Sequence, residues 1–263
     1  MIREDFHVHT TFCDGEDRAE AVVQAAIAMG MTRLGFSGHA HTPCDESYCM
    51  SAAGTAAYKS EIAALREKYR QRLVICCGIE QDYFADLPAG DYDYVIGSVH
   101  YLKIGGDYVP VDENPEIFQQ AAQKYFGGDF YAMAELYYRQ EADVVSRTHA
   151  DLIGHFDLIG KFNEGGRFFD ENHPRYIKAA YAALDALLET GRPFEVNSGA
   201  ISRGWRTTPY PSPPLLKRIA AKGGRIVLSS DSHRAATLCC KFDECERLCE
   251  SVGLKPERFR LRR

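Results

Sequence analysis

Seven short apolar segments alternate with amphipathic helical patterns along almost the whole chain, and this order indicates the fold class. We predict the apolar segments as strands at 5–9, 33–37, 73–79, 94–99, 152–154, 193–197 and 225–229. Several are nearly continuous apolar runs, which is typical of parallel strands that helices cover on both faces. Seven strand–helix units favour a closed or nearly closed α/β barrel over an open sheet.

The helical patterns between these strands have recognisable ends. The apolar stripe in 17–29 stops at Gly30, and the pattern in 174–190 stops at Gly191. Glycine commonly follows the last turn of a helix because it adopts the left-handed conformation without steric cost. Helical patterns that end at a glycine support the assignment of alternating strands and helices.

One long segment, 105–149, interrupts the alternation after the fourth predicted strand and contains a helical pattern at 130–146. It is rich in Tyr and Phe, which could cover one end of the barrel; we favour instead a packed helical insertion with an aromatic core. Neither a composition shift nor an internal repeat divides the chain. We therefore predict a single domain, 1–263, that carries this insertion.

Composition excludes several classes of protein. Lys and Arg number 31 against 37 Asp and Glu, a net charge of −6, which disfavours binding to long nucleic acid. No stretch approaches the roughly 20 apolar residues that span a bilayer, and the first residues lack the pattern of a signal peptide. We expect a cytoplasmic protein whose nine cysteines are reduced. The pattern indicates no oligomeric state.

Histidines and carboxylates fall at the carboxyl ends of the predicted strands. Side chains alternate along a strand with a period of two, so His7 and His9 share one side, as do Asp231 and His233. The carboxyl ends of barrel strands surround one mouth, so residues distant in sequence converge there. The candidate metal ligands are His7, His9, Asp14, His39, Glu80, His100, His155, Asp231 and His233.

Each of these motifs alone has an ordinary structural explanation, such as a pair of buried histidines or a salt-bridged Glu80. Their joint placement favours a metal cluster. Mixed imidazole and carboxylate ligands favour zinc, manganese or iron over magnesium or calcium. Nine candidates exceed the needs of one tetrahedral ion and suit two or three divalent metals, with Glu80 and Asp231 bridging them or balancing charge.

The chain also resembles a known family, the polymerase-and-histidinol-phosphatase (PHP) superfamily. The motifs that carry this resemblance are His7-x-His9, His39, Glu80, Ser98-Val99-His100, Gly154-His155-x-Asp157 and Asp231-Ser232-His233. Glu195-Val196-Asn197-Ser198-Gly199 and Tyr210-Pro211-Ser212 are most similar to its monofunctional histidinol-phosphate phosphatases. The resemblance covers about residues 5–253 and implies a distorted seven-stranded (β/α) TIM-like barrel with a trinuclear metal site.

Carried over position by position, the resemblance implies three sets of metal ligands. The first metal would be held by His7, His9, Glu80 and Asp231. Glu80 would bridge to a second metal, completed by His100 and His155. The third would be held by Asp14, His39 and His233. Relatives often place a histidine near Asp14, so Glu16 and Asp17 are alternatives at this position.

The resemblance further implies hydrolysis of a phosphomonoester, L-histidinol phosphate, in histidine biosynthesis, by attack of a metal-bridging hydroxide on phosphorus. Glu80 would be catalytic as the bridge, and Asp231 or a metal-bound water would protonate the leaving group. Lys161 and Arg203 align with phosphate-contacting positions, Lys161 replacing an arginine seen in some relatives. Solvated surface charge is the alternative for both basic residues.

Two other functions stay open on the sequence: a phosphoesterase acting on a nucleotide or another small phosphate ester, and a metal-binding PHP domain without turnover. Three further interpretations concern His41, Asp157 and the basic tail. His41 is either close to the site or an ordinary loop histidine, and Asp157 orients a metal-binding histidine. The basic tail, with Arg258, Arg260, Arg262 and Arg263, is a solvated terminus.

Overall fold

The computed structural model describes residues 4–86 and 90–262, and its centre is a curved parallel sheet. The strands of the described residues are β1 (Glu4–Asp5), β2 (Arg33–Phe36), β3 (Val74–Asp82), β4 (Tyr94–Ser98), β5 (Tyr101–Ile104), β6 (Asp107–Pro110), β7 (Leu152–Ile153), β8 (Phe194–Asn197) and β9 (Ile226–Ser229). Seven form one sheet in the order β1-β2-β3-β4-β7-β8-β9, in which every neighbouring pair is parallel. The predicted α/β barrel class is confirmed.

Among the described residues, the first and last strands of the sheet pair only at their carboxyl-terminal ends. Beyond the short β1, the extended chain meets the residues after β9: the His9 N–H donates to the Ser232 carbonyl at 2.8 Å, and the Ser232 N–H donates to the His7 carbonyl at 3.0 Å. This isolated parallel bridge, Val8 to Ser232, joins the first and last strands at their carboxyl ends. We call this junction the seam; it lies at the mouth, where the candidate ligands gather.

Helices connect the strands. They are α1 (Ala19–Ala28), α2 (Ala52–Tyr69), α3 (Pro115–Phe126), α4 (Phe130–Glu141), α5 (Val144–Thr148), α6 (Pro174–Leu188), α7 (Gly199–Ser202), α8 (Pro213–Ala221) and α9 (Phe242–Ser251). Their beginnings follow capping chemistry: Ser51 accepts from the Gly54 N–H at 3.0 Å, and Asn114 from the Ile117 N–H at 2.8 Å. Across the described residues, no helix has the length and apolar character needed to cross a membrane.

The segment between β4 and β7 begins with a hairpin and continues with three helices. The hairpin, β5–β6, starts at Tyr101, four residues before the predicted start of the insertion. Phe118, Tyr137 and Tyr138 are buried, and four partly buried aromatic residues pack against the same core: Tyr125, Phe126, Phe130 and Tyr131. Most of the insertion's aromatic content therefore forms a packed core. The hairpin itself was not predicted, because its alternation extends over only four residues in each strand.

The last residues of the chain cover the amino-terminal end of the barrel, opposite the mouth. Phe259 is 3% exposed, and its ring lies 5.2 Å from the ring of Phe6 and 5.5 Å from that of Tyr94. Its N–H donates to Glu4 at 2.9 Å, and its carbonyl accepts from Arg33 at 2.9 Å. Arg258 and Arg260 are exposed, as the prediction of a solvated terminus expects, but Phe259 between them is buried and plugs the barrel's amino-terminal end. Arg263 lies outside the described residues.

Candidate metal centre

Glu80 lies at the middle of the histidine cluster and is 1% exposed. One carboxylate oxygen, Oε2, lies 3.1 Å from His7 Nε2, 3.4 Å from His9 Nε2 and 3.1 Å from His39 Nδ1. The other, Oε1, lies 3.0 Å from His155 Nε2 and 3.5 Å from His100 Nε2. The two oxygens thus face two different groups of imidazoles, which is the arrangement of a bridging carboxylate.

Asp231 lies beside the same histidines, at the carboxyl end of β9. Its Oδ1 is 3.3 Å from His9 Nε2 and 3.7 Å from His7 Nε2. The backbone of Asp231 is left-handed, with φ 51, a conformation that is strained for a non-glycine residue. Arg203 holds it there by donating to its carbonyl at 3.0 Å and to its Oδ2 at 2.8 Å. Gly199 leaves room for this contact: an added Cβ would lie 2.7 Å from Asp231 Oδ2.

A third group gathers around Asp14 at the outer edge of the cluster. Asp14 Oδ2 lies 3.2 Å from His233 Nε2, and its Oδ1 lies 3.6 Å from His39 Nε2. The two alternatives for this position are engaged elsewhere. Glu16 pairs with Arg234 at 2.6 Å, and Asp17 accepts from the Ala235 N–H at 2.8 Å. The structure therefore places Asp14, and neither alternative, next to the histidines.

All nine candidate ligands converge at the mouth, in four overlapping groups. The groups are His9, Asp14, His39 and His233; His7, Glu80 and His155; His7, His9 and Asp231; and His39, Glu80 and His100. Within each group the donor atoms lie within 4.8 Å of one another. The overlap fits a site for several metals that share ligands.

The chemistry of the donors supports this fit. His7 Nε2, His9 Nε2 and Glu80 Oε2 are buried and have no hydrogen-bond partner, although the two nitrogens lie 3.1 and 3.4 Å from the carboxylate oxygen. Buried polar atoms are rarely left without a partner. In a tetrahedral zinc site with bonds of 2.0–2.1 Å, neighbouring ligand atoms are about 3.3 Å apart. The clustered side chains are thus suited to bind divalent metals.

The pKa values of His9 and His7 are shifted in opposite directions. Burial, together with the neighbouring His233 and His39, lowers the pKa of His9 to about 3, so the ring is neutral and able to bind a metal. Burial also opposes protonation of His7, but Glu195, Glu80 and Asp231 outweigh it and raise its pKa. The surplus of negative charge around His7 is what bound cations would neutralise.

Two carboxylates that the sequence analysis did not single out orient the histidines. Glu195 Oε2 lies 2.8 Å from the ring nitrogen His7 Nδ1, and its Oε1 accepts from the backbone N–H of His155 at 2.6 Å. Asp82 Oδ2 lies 3.1 Å from His100 Nδ1. Such partners fix the ring orientation of metal-binding histidines. A signal existed in the sequence: each is a charged residue within a buried strand, and Asp82 shares a strand face with Glu80.

Asp157, which the sequence analysis assigned to this orienting role, does not contact a histidine. Its Oδ2 accepts from the Ser212 N–H at 2.9 Å, and its other oxygen is buried without a hydrogen-bond partner. Burial raises its pKa to about 6, against the attraction of Arg206. The interpretation was wrong because the chain turns into a 3₁₀ helix directly after Asp157 and carries its side chain away from the mouth.

A cavity of 350 Å³ opens above the cluster, and both predicted phosphate-contacting residues line it. Lys161 Nζ lies 3.0 Å from Asp112 Oδ2, and Arg203 contacts Asp231 as described. Asp45, Tyr48, Tyr101 and Glu113 also line it, and sequence reasoning found none of them. His41 lies outside this lining; it is 2.8 Å from Asp86 and 3.5 Å from Glu46, in the loop after β2.

A curved parallel barrel with a histidine–carboxylate cluster at its mouth defines a class of metal-dependent barrel proteins. The PHP domain family matches residues 5–199, and the chain belongs to this family. It is 32% identical, over 98% of its length and 97% of the relative, to a Deinococcus radiodurans protein named "Probable histidinol-phosphatase". It is 27% identical to the histidinol-phosphatase of Bacillus subtilis, over 89% of this chain and 95% of that one.

Two solved structures share the fold. The hisK structure from Listeria monocytogenes has a TM-score of 0.79 at 19% identity and covers 92% of this chain and 99% of its own. The histidinol phosphate phosphatase of Lactococcus lactis has a TM-score of 0.70 at 20% identity, covers 100% of this chain and 99% of its own, and was solved with zinc, L-histidinol and phosphate. Both support the barrel architecture.

Proposed function

We propose that this chain is a metal-dependent phosphomonoester hydrolase that converts L-histidinol phosphate to L-histidinol and phosphate in histidine biosynthesis. The observation that carries the proposal is the buried cluster at the mouth, in which Glu80 faces five histidines. Relatives that match nearly the full chain are named histidinol-phosphatases, and this supports the choice of substrate.

The proposed ligands are the nine residues of the cluster, and zinc, manganese or iron fits their chemistry. Bound divalent metals would supply positive charge for the phosphoryl oxygens and lower the pKa of water. Glu80 would bridge two metals. The proton for the leaving oxygen would come from a metal-bound water or from Asp231, which contacts Arg203 and both histidines that follow β1. Burial raises the pKa of Asp231, but Arg203 and His7 outweigh it and hold the pKa well below its usual range, so Asp231 would have to accept a proton before it donates one.

The proposed phosphate contacts are Arg203 and Lys161. Arg203 is exposed on the cavity wall and holds Asp231, so a phosphoryl group bound to its remaining N–H donors would lie beside the cluster. Lys161 is held by Asp112 through its carboxylate and its carbonyl at 2.7 Å. It would bring one positive charge to the same cavity as a point charge, because lysine lacks the planar guanidinium fork.

The cavity also fits a small cationic leaving group. Asp45 and Glu113 line it in addition to Asp112, which pairs with Lys161, and add negative charge to its wall. A molecule with a phosphate at one end and an amine at the other has complementary charge. This supports a small phosphate ester as the partner and is consistent with the expectation against long nucleic acid. We propose a cytoplasmic location, which goes with a biosynthetic role and with the reduced cysteines expected from the sequence.

The test is phosphate release by purified, metal-analysed protein from a panel of phosphomonoesters that includes L-histidinol phosphate, with manganese, zinc or iron supplied in parallel. We expect kcat/KM of about 10⁴ M⁻¹s⁻¹ or more for L-histidinol phosphate and far lower values for the rest. A strong preference for a nucleotide or another ester would contradict the substrate. No turnover by fully metallated protein would instead support a binding domain.

A further inference from the structure

A second cavity lies at the opposite end of the barrel from the metal centre, and its volume is 790 Å³. Its walls are the residues just before β7, β8 and β9, together with the chain end at 259–262. Because the strands are parallel, the residues that precede them all lie at the amino-terminal end of the barrel. This cavity, which we call the basal cavity, is therefore separate from the phosphate-ester pocket.

The basal cavity is strongly basic in a chain that is acidic overall. Among the described residues that line it, Asp151 is the only carboxylate, whereas four arginines contribute: Arg192, Arg225, Arg260 and Arg262. The whole chain carries a net charge of −6. This local excess of guanidinium groups does not follow from composition.

The ion pairs around the basal cavity leave positive charge without a partner. Asp151 serves two arginines at once: Oδ1 is 3.2 Å from Arg192, and Oδ2 is 2.5 Å from Arg262. Arg225 pairs with Glu257. In the described part of the chain, Arg260 has no ion pair. Arg260 is thus without an ion pair and Arg192 shares its carboxylate, and guanidinium groups bind phosphate or carboxylate through paired N–H donors.

We propose that the basal cavity binds a small phosphorylated molecule. Its volume lies within the range of about 300–1,000 Å³ that is typical of metabolite sites. The guanidinium of Arg260, which has no ion pair in the described part of the chain, and that of Arg192, which shares its carboxylate, provide positive charge for a phosphate group. The contact of Arg192 with Asp151 uses one of its five N–H donors, so most of its donors are not committed to this carboxylate.

Such a ligand would also fasten the chain end to the barrel. Arg260 and Arg262 follow Phe259, the residue that plugs the barrel, while Arg192 and Arg225 precede β8 and β9. An anion between these two sides would add contacts that exist only in the folded protein. Its binding should therefore raise the unfolding temperature.

The experiment is arginine modification of the metal-loaded protein with phenylglyoxal, followed by peptide mass spectrometry. Inorganic phosphate and pyrophosphate are the probes, and chloride at equal ionic strength is the reference. We expect pyrophosphate to slow labelling of Arg192, Arg225 and Arg260 by about tenfold, because bound phosphate occupies the guanidinium N–H groups. Arg258, exposed and outside the cavity lining, is the matched control and should label at an unchanged rate.

A pair of charge-reversal variants makes the result specific. Arg260→Glu should raise the pyrophosphate concentration for half-protection of Arg192 by about tenfold, whereas Arg258→Glu should leave it unchanged. Equal protection of Arg258 and Arg192, or no protection of either, would overturn the proposal. If phosphate protects the arginines as strongly as pyrophosphate does, the cavity binds inorganic phosphate, and the proposal of a phosphorylated metabolite is overturned. Arg203 labelling reports separately on the phosphate-ester pocket.

Discussion

Glu80 gives its two oxygens to two different groups of imidazoles in a place that solvent does not reach. The Ser98 hydroxyl donates to Oε1 at 2.6 Å, which fixes the plane of the carboxylate. Burial alone would raise the pKa of Glu80, but His7 and His39 outweigh it and lower the pKa. The side chain is thus held as an anion at the one position from which it can reach both groups.

Replacing Glu80 by Gln should reduce hydrolysis of L-histidinol phosphate by at least about a thousandfold, because the neutral amide cannot bridge two cations. Bound metal, measured by mass spectrometry of the dialysed protein, should fall, and the circular dichroism spectrum should not change. Glu46→Gln is the control, since Glu46 lies on the nearby loop and contacts His41 at 3.5 Å. Near-normal turnover by the Glu80 variant would exclude the bridging role.

Replacing Glu195 by Gln should weaken metal binding by about 10–100-fold, because the charged partner that orients His7 is lost. The amide keeps the shape of the side chain and can still bond to Ser229, which lies 2.6 Å away. The measurement is competition with a chelator followed by metal analysis. An unchanged affinity would show that the position of His7 is set by the backbone alone.

At the scale of single residues, the sequence pointed to the nine ligand candidates because they lie within or after recognisable strands. It did not locate Glu195 and Asp82 as partners, since a hydrogen bond between residues 188 positions apart, such as His7 to Glu195, depends on which strands become neighbours. For the same reason Asp157 received the role that belongs to Glu195. The proximity of Asp157 to His155 in sequence was a misleading guide to contact in space.

Among the elements, the chain end has a structural role out of proportion to its length. Residues after α9 cross the amino-terminal end of the barrel, where Phe259 packs between Phe6 and Tyr94. Tyr94 in turn donates to the carbonyls of Phe6 and Phe36, at 2.7 and 2.9 Å. This end of the barrel is therefore filled by aromatic rings that come from three separate segments.

Truncating this plug should destabilise the whole protein. Phe259→Ala should lower the free energy of unfolding by about 3–5 kcal/mol, since it leaves a cavity among the aromatic rings. Arg258→Ala, next to it but exposed, should change stability by less than about 0.5 kcal/mol. The measurement is chemical denaturation with metal present. Equal stability of the two variants would mean that Phe259 does not seal the barrel.

The order of the strands and helices was predictable, because buried parallel strands give continuous apolar runs that glycines and prolines delimit. The plug was not, because a single phenylalanine in a basic segment carries no periodicity. The hairpin β5–β6 was missed for a related reason: four-residue strands at the edge of the insertion give too short an alternation.

For the molecule as a whole, the seam and the metal cluster occupy the same place. The bridge from Val8 to Ser232 lies between the ligand candidates His7 and His9 on one side and Asp231 and His233 on the other. The first and last strands share no longer ladder within the described residues. Metals bound to both sides would therefore hold the barrel closed.

Removing the metals should open the seam first. We expect chelation to lower the unfolding temperature by several degrees, because a ligand of the folded state is lost. Amide hydrogen exchange should accelerate most at 6–9 and 229–233, while β3 and β4 keep their protection. Uniform acceleration across all strands would contradict a seam held by metal. Re-addition of manganese or zinc to the same sample is the control for irreversible damage.

The span of the cluster along the chain has a consequence during synthesis. Asp14 and His233 lie 3.2 Å apart at the mouth but are separated by 219 residues in sequence. A growing polypeptide on the ribosome therefore holds most of its imidazoles long before the last carboxylate and the last histidine emerge. If these residues bind the metals as proposed, tight uptake would have to wait for nearly the entire chain, and a filled centre would indicate that translation has passed residue 233.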